Sequence, residues 1–243
     1  MYRTRLRFSK SGALAFIGHL DFLRVFGQTI RRAALPAAFS QGFNPHLLLS
    51  FALPLPLGME SVNDYADLIL AEEMPYEEIV KKLNATAPAG LTINAAYAAE
   101  DKAAGVVVVA DYFVRGVNVC VAQKIEETLV AKEIVVPKKT KKGMRNTDIR
   151  PDIFELREEK GGVFMRLSAG SERFLNPLMV ADLLFEGTLA ANASSVEEIT
   201  TAAVIRQELY RRGTKRTECV SVTDSRNCEA ISLHLENDTL VSL

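Results

Sequence analysis

The chain has 243 residues, 48% of them hydrophobic and 24% charged, which is enough apolar material for one large domain or two of about 120 residues and excludes wholesale disorder. Its 29 basic and 30 acidic residues leave a net charge of −1, which excludes uniform, nonspecific adhesion to a polyanion. Three cysteines, Cys120, Cys219 and Cys228, argue against a disulfide scaffold and for a reducing, cytoplasmic setting.

The amino terminus lacks a signal-peptide pattern, and no stretch approaches the roughly 18 apolar residues of a membrane span, so no membrane association is expected. Tyr2 to Phe8 alternates strictly, with Tyr2, Thr4, Leu6 and Phe8 on one side and Arg3, Arg5 and Arg7 on the other, the period of a half-buried strand. From Gly18 to Leu35 the positions Leu20, Leu23, Phe26, Ile30 and Ala34 recur every three or four residues, which predicts an amphipathic helix closed by Pro36. Leu47 to Leu53 and Tyr65 to Leu70 read as strands joined by a connection stiffened by Pro54 and Pro56. A helix from Pro75 to Asn84, with Pro75 at its first position, and a strand from Leu91 to Ala98 complete a βαββαβ order.

After a small, charged linker at Ala99 to Gly105 the order recurs. A strand at Val106 to Val117, a helix at Val119 to Ala131 and a strand at Glu133 to Pro137 precede a basic loop. Paired strands follow at Ile153 to Arg157 and Val163 to Leu167, then a helix capped by Asn176 with Pro177 at its first position, and a strand from Thr200 to Arg212. Ser195-x-x-Glu198 resembles a capping box and suggests a short helical turn near Val196. The fold expected is α+β, with two ferredoxin-like (βαββαβ) units of antiparallel sheet at 1–102 and 106–212. A mobile tail is expected at 213–243, where Ala230 to Leu235 can add a local strand.

Near-neutrality conceals segregation of charge. Residues 1–60 hold seven basic residues, Arg3, Arg5, Arg7, Lys10, Arg24, Arg31 and Arg32, against Asp21 and Glu60, a net of +5. In a split βαβ sandwich the face opposite the helices is open, so Arg3, Arg5 and Arg7, about 7 Å apart, are placed to meet successive phosphates. Base-stacking aromatics at those positions are missing, which favours phosphate contact over base reading. Lys138, Lys139, Lys141, Lys142, Arg145 and Arg150 against Asp148 and Asp152 give a second net of +4 and read as a mobile loop that condenses on a polyanion. Solvated surface, or packing on acidic partners within the fold, accounts for these charges equally well.

Two of the three histidines, His19 and His46, fall at a helix start and in the turn-rich Ser40-Gln-Gly-Phe-Asn-Pro-His46. With Asp21, Gln41 and Asn44 they make a candidate pocket, since an imidazole is suited to acid–base chemistry and equally to capping or hydrogen-bonding the local backbone. Cys219-x8-Cys228-x5-His234 lacks zinc-site spacing, and no phosphate-loop, dinucleotide or nucleophile-elbow motif occurs, so neither metal nor cofactor is expected.

Taken together, Lys10-Ser-Gly12, Phe16-Ile-Gly-His-Leu-Asp21 with Arg24, Arg31-Arg32-Ala33, Leu35-Pro36, Ser40 to His46, Ser50-Phe51-Ala52, Pro54-Leu-Pro-Leu-Gly58 and Glu60-Ser61 resemble the radical SAM-linked family of uncharacterised bacterial proteins. The likeness is strong over about residues 1–100 and weaker to about 212. In that family the domain stands alone or at the carboxyl end of a radical S-adenosylmethionine protein, near genes for ribosomal proteins and an RNA-degrading enzyme. The resemblance implies a link to RNA or ribosome metabolism and a separate radical SAM protein as partner. This chain has no C-x-x-x-C-x-x-C cluster motif and so is expected to be the accessory module rather than the iron–sulfur enzyme. Leu47-Leu48-Leu49 stands where relatives often carry proline and a basic residue, a departure that weighs against a phosphate role for the preceding loop. The leading expectation is a non-catalytic RNA-binding or substrate-presenting protein; an RNA-processing enzyme using His19 and His46, or a protein-binding scaffold, are the alternatives.

Overall fold

The computed structural model describes residues 1–115, 121–140, 143–185, 204–212 and 240–242. The first alternation becomes β1 (Tyr2–Lys10), which buries Leu6 and Phe8 under the helices. Next comes α1 (His19–Arg32), N-capped by Gly18, with Asp21 in its first turn and Arg31 and Arg32 in its last, charges that complement the helix dipole. Its buried stripe runs through Phe22, Phe26 and Ile30 rather than Leu20, which is 67% exposed. The aromatic rings decide this: Phe22 and Phe26 gather with Phe8 and Phe51 at centroid separations of 5.2 to 5.9 Å.

Strands β2 (Leu49–Phe51) and β3 (Glu60–Leu70), helix α2 (Tyr76–Thr86) and strand β4 (Leu91–Ala98) follow. Pro75 is the N-cap of α2 and not its first helical residue, so the helix begins one residue later than expected. The side-chain amide of Asn84 donates to Ile93 O at 2.9 Å and accepts from Ile93 N at 2.8 Å, which fastens α2 to β4. Antiparallel pairing gives the order β4-β1-β3-β2.

The second half runs β5 (Val107–Arg115), α3 (Ala122–Val130), β6 (Val135–Thr140), β7 (Gly143–Asp148), β8 (Ile153–Glu159), β9 (Gly162–Ser168), α4 (Pro177–Leu184), β10 (Val204–Arg212) and β11 (Leu240–Ser242). As the sequence suggested, the Asn176 side chain caps α4, accepting from Leu178 N at 3.1 Å, and Pro177 takes the first helical position. Here the antiparallel order is β10-β5-β9-β8, with β11 beside β10. Where a basic loop was expected, β6 and β7 pair as a two-stranded sheet of their own.

A short parallel contact, Ile205 opposite Glu60 and Arg206 opposite Ser61, joins the halves into one nine-stranded sheet. One apolar cluster lies in the first half around Phe8 and Phe26, and a second, around Tyr112 and Val180, reaches back across the junction to Ala52, Met59 and Tyr65. The protein is α+β, with a mostly antiparallel sheet and, among the described residues, four α-helices. The segment expected as a linker is docked instead: Ala103 is buried and its N–H donates to Asp67 Oδ2 at 2.7 Å. No helix among the described residues is long and apolar enough to cross a membrane. The expected Ser195-x-x-Glu198 turn, the local strand at 230–235 and the Cys219, Cys228 and His234 positions lie outside the described residues.

Candidate nucleic-acid interface

Arg3, Arg5 and Arg7 do share the sheet face away from the helices, yet they do not form an open row. Arg5 is only 4% exposed. Register places Asp67 of β3 directly opposite it, and Arg5 Nε donates to Asp67 Oδ1 at 2.8 Å while Nη2 donates to Asp101 O at 2.8 Å. Burial pulls the Arg5 guanidinium down, but the hydrogen bond and charge of Asp67 outweigh it and the net shift is upward. Arg3 donates to Glu100 O at 3.1 Å, and half-buried Arg7 stands opposite Tyr65, whose hydroxyl donates to Glu208 at 2.6 Å. The ionic layer continues into the second half, where Arg166 meets Asp111 through two bonds of 2.7 and 2.8 Å and Tyr210 donates to the same carboxylate. The expectation of three exposed guanidiniums is therefore corrected: Arg5 is buried against the carboxylate of Asp67 on the neighbouring strand and that of Asp101 on the docked joining segment, while Arg3 and Arg7 are half-buried.

Lys10 is also displaced from the expected surface. It lies on the even-numbered side of β1 with Leu6 and Phe8 and is 1% exposed. On α1, Arg24 and Arg31 are exposed, as expected of a solvent-facing side, and Arg24 donates to Asp21 at 2.7 Å.

The second basic run has a different setting. In the β6–β7 hairpin Lys138 is opposite Arg145 and Lys139 opposite Met144; Lys141 and Lys142 lie outside the described residues. Met144 is 67% exposed, and Arg145 is exposed with its guanidinium free of hydrogen bonds to the described residues. Asp148, the hairpin's single acid, works at its base: Oδ1 accepts from Ile134 N at 2.9 Å and Arg150 N at 3.0 Å. Those two N–H groups hold its carboxyl below the usual carboxylate range. The Arg150 side chain donates to Leu129 O at 2.7 Å and Ile153 O at 2.9 Å, so it anchors the hairpin instead of joining its charged surface.

The candidate pocket residues fall into two separate groups. His46 Nδ1 lies 2.7 Å from Ser40 Oγ, which also accepts from His46 N at 3.1 Å, and the loop closes through Ser40 N to His46 O at 2.8 Å. Gln41, Phe43 and Asn44 are exposed on that loop. His19 packs its ring edge-on against Phe51, with centroids 5.6 Å apart, and Asp21 faces Arg24. Among the described residues no hydrogen bond or ring contact joins His19 or Asp21 to Gln41, Asn44 or His46, and no group of three potential metal ligands gathers.

Two residues that sequence reasoning missed stand at the junction of the halves. Arg206, fully buried, donates to Asp64 at 2.5 Å, Leu53 O at 2.9 Å and Pro54 O at 3.2 Å. Strand parity carried a signal for Asp64, which alternates with Ala66, Leu68 and Leu70 on the core side of β3.

Residues 3–177 match the model of a family described as an uncharacterized protein conserved in bacteria (DUF2344). No curated protein matches the chain.

Proposed function

We propose, for a chain that belongs to the DUF2344 family of uncharacterised bacterial proteins, that it is a non-catalytic RNA-binding accessory protein whose main RNA contact is the β6–β7 hairpin. The observation that carries this reading is a basic β-ribbon set apart from the main sheet, with four lysines and Arg145 against one acid that is engaged at its base. A two-stranded ribbon of this kind lies readily along a nucleic-acid groove or strand, and its cations displace condensed counterions there. Arg24 and Arg31 on α1 are secondary phosphate contacts, and Arg3 and Arg7 contribute little because the fold already occupies them.

The strand orders β4-β1-β3-β2 and β10-β5-β9-β8 support reading each half as a ferredoxin-like unit, the second with the hairpin inserted after its first helix. The family likeness of residues 1–100 supports a cytoplasmic role beside a separate radical SAM protein, to which this chain presents RNA or a ribosomal component. A filter-binding titration of structured RNA at increasing salt tests the reading. Salt-dependent binding that is lost on Lys138/Lys139/Lys141/Lys142→Ala is expected, and no binding at low salt overturns it. Cleavage of the RNA that disappears in His46→Ala while binding persists favours the enzyme reading instead. Co-purification with the radical SAM protein after nuclease treatment, without RNA binding, favours a scaffold.

A further inference from the structure

On the helix side of the sheet, remote from the hairpin in sequence and in sheet, a cleft opens between the start of α1 and the 53–55 connection. Its walls are Phe8, Phe22, Phe51 and His19, its rim Leu53 and Leu55, and its floor Lys10 and Asp64. The non-atom space of the cleft, open solvent included, is about 240 Å³, and its bottom leaves about 10 Å³ for the centre of a water-sized atom.

Lys10 is the unusual group here. At 1% exposure its ammonium has three N–H donors and, among the described residues, one hydrogen-bond acceptor, Ile17 O at a long 3.3 Å, with the centroid of the Phe22 ring 4.6 Å away. The nearby carboxylate, Asp64, is engaged with Arg206 at 2.5 Å. Among the described residues two cations thus face one anion in a buried site, leaving a net charge of +1, and an uncompensated buried charge costs several kcal/mol. Burial pushes Lys10 down from its ordinary value, with the Arg206 charge acting in the same direction and Asp64 against it. Arg206 also ties down the Leu53 and Pro54 carbonyls, so the rim of the cleft is held by the second half of the chain.

We infer that this cleft binds a small molecule bearing a single carboxylate on an apolar body, with one carboxylate oxygen reaching the Lys10 ammonium and the body lying over Phe22, Phe51, His19 and the leucine rim. One negative charge balances the site, and the bottom of the cleft has room for about one oxygen while the apolar walls favour a hydrophobic remainder. A doubly charged phosphate overshoots the charge and lies close to Asp64.

Benzoate is the probe. In full-length protein labelled with ¹³C-lysine, titration at constant ionic strength is expected to move one lysine Cε resonance saturably, the resonance missing from the spectrum of Lys10→Arg. Acetate, which lacks the apolar body, binds about tenfold more weakly. Benzoate raises the melting temperature of the native protein and has no such effect on Lys10→Met. Retained RNA binding by Lys10→Arg separates this site from the hairpin. No movement of the Lys10 signal at millimolar benzoate, equal movement with chloride, or tighter binding of inorganic phosphate overturns the inference. If Lys10→Met fails to fold, the titration of the native protein, assigned through Lys10→Arg, decides alone.

Discussion

Strand β1 and the β6–β7 hairpin are both strands rich in basic residues, and the fold treats them in opposite ways. In β1, Arg5 meets two carboxylates, Asp67 brought opposite it by the register and Asp101 from the joining segment, and is closed off from water, while Arg3 and Arg7 beside it are half-buried. The hairpin pairs its basic positions with one another, Lys138 opposite Arg145, and spends its one acid on backbone amides. A count of positive charge along the chain therefore does not distinguish cation that stabilises the sheet from cation available to a partner. What distinguishes them is whether the neighbouring strand carries acid at the facing position.

The comparison is sharpest where one region is broken and the other is left alone. Arg5→Ala leaves Asp67 buried without its partner and is expected to cost about 3–5 kcal/mol, read as a fall in the urea midpoint of unfolding. Its RNA affinity per folded molecule should stay at the native level. The complementary variant, Lys138/Lys139/Lys141/Lys142→Ala, should leave stability within about 0.5 kcal/mol and weaken RNA binding about a hundredfold at low salt. The log–log salt slope should become shallower by about 0.7 to 0.9 for each lysine that touches phosphate. If instead Arg5→Ala abolishes binding in protein that remains folded, the division between the two regions fails.

Much of this arrangement was legible in the sequence because it depends on period and punctuation. The alternation of Tyr2 to Phe8, the Asn176-Pro177 cap and the Leu91–Ala98 strand all rest on interactions local to the segment, and they stand where they were expected. Lys10 was open to the same reading, since parity places it with Leu6 and Phe8, but its charge suggested a surface. The Arg5–Asp67 pair depends on register between segments 62 residues apart, which local periodicity does not determine. Arg206 is farther still, 142 residues from Asp64, and its burial follows only from the parallel join of β10 with β3. The Gly143 to Asp148 strand was missed because its residues, GMRNTD, carry neither alternation nor β-propensity, so pairing with β6 defines it.

Acid should move the two regions with opposite signs. Asp148 has its carboxyl held below the usual value of 3.8 by the Ile134 and Arg150 amides, so its contribution to the hairpin base is complete above that value and is lost as pH falls through the lower folded one. On the main sheet, burial raises Glu208 and Asp64 above their usual values, with Tyr65 and Arg206 respectively pulling down. Their contribution is fully present below the usual carboxylate range and is lost as pH rises through the folded value. Carboxyl ¹³C titrations should find Asp148 below, and Glu208 and Asp64 above, the range of exposed carboxylates. Asp148→Asn should remove the acid response of the hairpin-base amides without altering that of the sheet; a response that persists in this variant would move the clasp elsewhere.

The smallest effect is expected where the two regions are hardest to tell apart. Arg3 and Arg7 lie on the ionic face of β1 but retain partial exposure, Arg3 through a bond to a backbone carbonyl and Arg7 with its Nε buried and without a hydrogen bond. Among the described residues neither has the paired carboxylate that makes Arg5 costly to remove, so the Arg3→Ala/Arg7→Ala double variant should lose no more than about 1 kcal/mol of stability. A guanidinium already directed at Glu100 O or set beside Tyr65 must leave that position to reach a phosphate, and the exchange gains little. RNA affinity should change less than about threefold and the salt slope by less than one. A change of slope close to two in this variant would mean that both arginines reach phosphate after all, and the available surface would then extend from the hairpin across the sheet.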